Sequence, residues 1–175
     1  MINPQYKDPI AAALIALFET YAFKELKGKY YYGTPFIIAQ NQLNFPAICI
    51  SNVESSTGTH TDSHDQSRLI YRITAMIDVK KEWLQGKNIV GPEMELHRLL
   101  IGRDASFDMI PGSIEYVCRK YGVIDGEHRL YIDLGRETHA QIKPNIEGRG
   151  MGMYLYEGVM DIEIKHNQIK PALQA

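Results

Sequence analysis

Apolar and polar positions change period several times along the chain, and each change marks an element. Ile10, Ala13, Leu14, Leu17, Phe18 and Tyr21 recur at i, i+3, i+4, i+7, i+8 and i+11, the stripe of an amphipathic helix. Asp8 stands where a side chain caps that helix, and Pro9 where a missing N–H costs nothing. Lys24 and Lys27 suit its negative end, and Gly28 predicts its stop. A second helix opens at Gly91-Pro92-Glu93, presents Met94, Leu96, Leu99 and Leu100, and closes at Gly102-Arg103.

Between these helices the period falls to two. Leu69, Tyr71, Ile73, Ala75, Ile77 and Val79 alternate with Arg68, Arg72, Thr74 and Asp78, which predicts a strand over 68–79 with one apolar and one mixed face. Residues 47–54 form a second strand entered through Pro46, a residue suited to strand starts and sheet edges, and 36–40 is a shorter candidate. The tract 55–66 holds no large apolar side chain and reads as a flexible hairpin tip between two strands. Tyr30-Tyr31-Tyr32 and Gly33-Thr34-Pro35 read as an exposed connection.

Farther along, 113–121 fits either helix or strand, whereas 128–134 and 153–166 alternate as strands. The polar, glycine-rich 136–152 reads as loop, and 168–175 as a short tail, frayed or docked on a neighbour. The order of elements predicts one α+β domain over 1–175. Its sheet is mainly antiparallel, two or three helices pack on one face, and a long β-hairpin projects.

Charge narrows the function. A net charge of −2 lacks the basic surplus of a dedicated nucleic-acid binder. The strongest contrary hint is Lys24, Lys27 and Lys29 beside Tyr30 to Tyr32, but helix-end cations and interface tyrosines explain that patch without a nucleic acid. No apolar run approaches the roughly 20 residues that span a bilayer, and the start lacks the pattern of a signal peptide, so folding in a cytoplasm is expected. Cys49 and Cys118, far apart and outside any CxxC spacing, read as buried, reduced thiols.

The densest candidate chemistry is His60-Thr61-Asp62-Ser63-His64-Asp65. Two imidazoles and two carboxylates suit a divalent metal, and a metal-dependent hydrolase built on them is the alternative reading. The spacing matches neither H-x-H-x-D-H nor H-E-x-x-H, and the Ser, Thr and Gly around it offer no rigid support. Gly148-Arg149-Gly150-Met151-Gly152 lacks the strand–loop–helix context of a phosphate cradle. Cys118 has Arg119 and Lys120 beside it to lower its pKa but no base to partner it. The expectation is therefore no catalytic residue, no metal and no cofactor.

Over most of its length the chain resembles the tail terminator and tail-completion proteins of bacteriophage necks. The resemblance lies in the helix starting at Asp8-Pro9, the strand Phe45-Pro46-Ala47-Ile48-Cys49-Ile50 and the turn Asn52-Val53-Glu54 into a polar hairpin. It continues through the strand from Ile70 to Val79, a crossing helix, and the strand from Tyr154 to Lys165. It implies a non-enzymatic virion protein, a homohexameric ring between the tail tube protein and a head-completion protein, assembled in the host cytoplasm. Extra length at 104–126 and 136–152 would serve neck contacts or mark a different connector protein. Arg68, Arg72 and Asp78 on the mixed strand face, with Tyr30 and Tyr31, are the candidate subunit-interface residues.

Overall fold

The computed structural model describes residues 8–35, 44–59, 64–78, 91–125, 130–135, 138–145 and 155–169. The expected strand at 36–40, residues 60–63 of the histidine tract and the glycine run 148–152 lie outside them.

Helix α1 (Pro9–Tyr21) starts where its signals place it: Asp8 Oδ1 accepts the N–H groups of Ile10 and Ala11, both at 3.0 Å. It stops earlier than Gly28 predicts. Ala22 turns extended, and a 3-10 turn at Lys24–Leu26 follows. The early stop carries Leu26 into the core, where it is fully buried, while Phe23 N–H donates to Gly112 O at 3.1 Å. Gly28, at φ +72°, lies beyond the 3-10 turn, so Lys24 and Lys27 lie past the helix end they were expected to serve.

Helix α2 (Pro92–Ile101) runs between Gly91 and Gly102 as expected. Its inner side is Leu96, Leu99 and Leu100, whereas Met94 points to solvent. The ambiguous tract resolves as helix α3 (Ile114–Tyr121), with the Ser113 hydroxyl accepting Tyr116 N–H at 3.4 Å and Ile114, Val117 and Cys118 buried at helical spacing.

Seven strands make a mixed, mostly antiparallel sheet: β1 (Tyr30–Tyr32), β2 (Ala47–Thr59), β3 (His64–Asp78), β4 (Val123–Asp125), β5 (Leu130–Asp133), β6 (Ala140–Asn145) and β7 (Leu155–Ile169). Their order is β1-β2-β3-β7-β5-β4, with β6 also on β7. Two of these strands fall where loop was expected. The three tyrosines pair in parallel with Ile48, Cys49 and Ile50; an unbroken aromatic run suits a strand but shows no alternation to read. Within 136–152, β6 pairs with the first half of β7. It holds Pro144 because an edge strand can lack one N–H.

The main core lies between the sheet and its helices. Ala11, Leu14 and Phe18 meet Ile48, Ile50, Tyr71, Ile73, Ala75 and Ile77, while α2 and α3 add their leucines, Ile114 and Val117 against Met160, Ile162 and Ile164. At Gly158 the approach of α2 is close enough that an added Cβ would stand 2.7 Å from Leu100 Cδ1. On the other face Ala47, Cys49, Met76 and Leu155 form a smaller cluster with Tyr31 and Phe45. A polar tie fastens α1 to mid-sheet: the buried Tyr71 hydroxyl lies 2.9 and 2.7 Å from the two oxygens of Asp8.

Candidate functional site

The helix-free side of the sheet carries the candidate surface, because period-two alternation sends the polar half of each strand there. Arg72 stands directly opposite Asp161 in the β3–β7 register and binds it with both nitrogens, at 2.8 and 2.9 Å. Arg68 reaches diagonally to Glu163 at 2.7 Å and toward Glu54 of β2 at 3.6 Å. Lys165 pairs with Asp133 of β5, and Lys143 of β6 lies 3.1 Å from Glu157. The lysine beside it, and then Gly135 N–H, hold the Asp133 carboxyl below its ordinary range.

Strands β5 and β6 both lie antiparallel on the same edge of β7, one opposite Glu163 to His166 and the other opposite Leu155 to Met160. The two ladders are not continuous on that edge: the β5 pairing ends at Glu163 and the β6 pairing begins at Met160, so neither includes Asp161 or Ile162. The break leaves a shallow hollow of about 290 Å³ near Arg68, Asp133 and Glu163, and another of about 390 Å³ near Arg72, His139 and Lys143. The arginines and lysines here are matched by carboxylates. That balance suits a polar protein contact better than capture of an anion.

The polar hairpin is paired well into the tract expected to be flexible. Strand β2 continues to Thr59, opposite Asp65 of β3, and β7 runs beside β3 as far as Ile169 opposite His64. The projection is thus three strands wide, and Gln168 and Ile169, expected in the tail, belong to it. Backbone pairing needs no apolar side chain, so composition could not reveal this extension. A register shift at Asn52/Glu54 marks a bulge in β2, and residues 52–58 are all exposed. Among the described residues, β2 has no strand on its outer edge beyond Ile50.

Of the five interface candidates, Arg68, Arg72, Asp78 and Tyr31 share the helix-free side. Tyr30 turns the other way: its ring stacks on Phe18 at 6.0 Å, and burial followed by the charge of Glu19 raises its hydroxyl pKa. Asn44 N–H donates to the Tyr31 hydroxyl at 3.0 Å. The carboxylates that partner the two arginines lie about ninety positions away in sequence, so no spacing rule points to them.

A second charged group escaped sequence reading. Glu115 is buried, with Arg119 donating to Oε1 at 3.0 Å and Arg103 Nη2 lying 2.7 Å from Oε2. Each carboxylate oxygen of Glu115 therefore lies against a guanidinium. Burial alone would raise this carboxyl, but Arg103, Arg119 and Thr138 hold it below its ordinary range. The Glu115–Arg119 spacing of four on a helix was the one readable signal.

Both cysteines are buried, and neither is in a disulfide. Burial, reinforced by Glu115, pushes the Cys118 thiol up to about 12, so its basic neighbours do not activate it. Among the described residues no group of three or more His, Cys, Asp or Glu is placed to hold a metal ion, and no helix is long and apolar enough to cross a membrane. No family model matches the chain, and no curated protein does.

Proposed function

We propose that the chain is a structural subunit of a phage neck, a tail terminator-like protein that assembles into a ring, about six-fold, between tail tube and head-completion protein. The observation that carries this reading is the three-stranded projection of β2, β3 and β7, with a β2 backbone edge left open beyond Ile50 among the described residues and a balanced set of exposed charge pairs at its base. An open edge accepts a strand from another chain, and paired charges set register and exclude wrong partners. The resemblance in element order along the chain supplies the family and the partners. Assembly in the host cytoplasm and residence in the virion follow from that role, and no reaction is assigned to the protein.

Light scattering and negative-stain imaging of the purified protein, alone and with tail tubes, test the proposal. Rings capping tube ends are the expected result. A strict monomer that leaves tube ends bare refutes it.

A further inference from the structure

Phe107 is the most exposed large apolar side chain among the described residues, at 87%. It sits at the tip of a tight turn closed by the bridge between Arg103 and Met109. Asp104 Oδ1 accepts the N–H groups of Ser106 at 2.8 Å and Asp108 at 3.0 Å, and Phe107 N–H donates to Asp104 O at 3.0 Å. The tip is therefore held by its own hydrogen bonds. At φ +65°, Phe107 occupies the left-handed region, which costs a phenylalanine energy that glycine or asparagine largely avoids. A strained backbone that holds an apolar ring out in water points to a role outside the fold of one chain.

The same molecule carries a fitting receptor. Between α3 and the β4–β5 edge lies a hollow of about 470 Å³, lined by Val123, Tyr131 and Leu134, by the cations Arg119 and Lys120, and by one carboxylate, Asp133, which Lys165 pairs. Val123 is itself 70% exposed. The tip bears Asp104 and Asp108 beside the ring, so an acidic apolar knob meets a partly apolar socket whose two cations outnumber its one carboxylate. We infer that Phe107 of one subunit seats in this hollow on a second copy of the chain, an inference that rests on the self-assembly reading above. Knob and socket are different surfaces, so the contact is heterologous, the kind from which rings are built.

Two variants test it by sedimentation across a concentration series. Phe107→Asn keeps a residue that tolerates the left-handed turn, and Val123→Glu places an acid in the socket. Each is expected to keep the wild-type melting temperature or better and to weaken self-association by about 30-fold, the loss typical of a buried aromatic anchor. An equimolar mixture of the two is expected to recover association as pairs, because one retains the socket and the other the knob. Lys120→Glu, fully on the surface side of the socket, serves as a second probe and is expected to weaken association most at low salt. If Phe107→Asn associates like wild type, the knob is overturned while self-assembly stands. If Phe107→Asn loses only a different partner protein, the second copy is the wrong occupant. A wild-type chain that stays monomeric, free or on tubes, overturns both this contact and the ring.

Discussion

Asp8 joins two roles in one carboxylate: it caps α1 and receives the hydroxyl of Tyr71 from the centre of the sheet. Replacing it with alanine removes both. Losing a side-chain N-cap costs about 1 kcal/mol, with a range of roughly 0.5–2. Losing a hydrogen bond to a charged acceptor costs roughly 1.5–3 kcal/mol, and Asn52 is then the side-chain partner that remains to the Tyr71 hydroxyl. Together they give about 3 kcal/mol, which for a domain of this size lowers the melting temperature by roughly 6–12 °C. Urea unfolding of Asp8→Ala, Tyr71→Phe and the double variant separates the terms: the doubly substituted protein is expected to be more stable than additivity allows by about 1–2 kcal/mol. Asp8→Asn, which can still cap, is expected to cost about 1 kcal/mol. A loss below about 0.5 kcal/mol for Asp8→Ala, or a cycle with no coupling, would refute the tie between cap and sheet.

Three further expectations follow from named contacts. Glu115 has a depressed folded pKa, so its contribution is present above the unfolded value of about 4 and fades as pH falls through the lower folded value; Glu115→Gln is expected to flatten the fall in stability on acidification below about pH 4, measured by denaturant midpoints. Gly158→Ala forces the new methyl against Leu100, and overpacking of about 1–3 kcal/mol outweighs the roughly 0.4–1 kcal/mol gained from a stiffer unfolded chain; calorimetry should show a lower melting temperature. Cys118, buried with its thiol pushed up to about 12, is expected to resist thiol reagents at neutral pH until the protein unfolds, whereas rapid labelling of the native state would contradict its burial.

The sequence by itself determined the elements whose burial is one-sided and locally periodic. The start of α1, both ends of α2, the alternation of β3 and the apolar face of β7 all follow from which side chains must leave water, and that requirement repeats at the period of the element. Only the tertiary structure decided features set by partners distant along the chain. Strand β1 exists because β2 offers it an edge, and β6 because β7 does; the early end of α1 serves the burial of Leu26. The polar arm is ordered into strands by backbone pairing, which leaves no mark on composition. The same holds for the surface. Arg68 and Arg72 are legible as one strand face, but Glu163 and Asp161 meet them only because β7 returns beside β3. The exposure of Phe107 became visible once a turn held the ring in solvent, and the hollow once α3, β4 and β5 enclosed it, for exposure is a property of the folded surface and not of the residue.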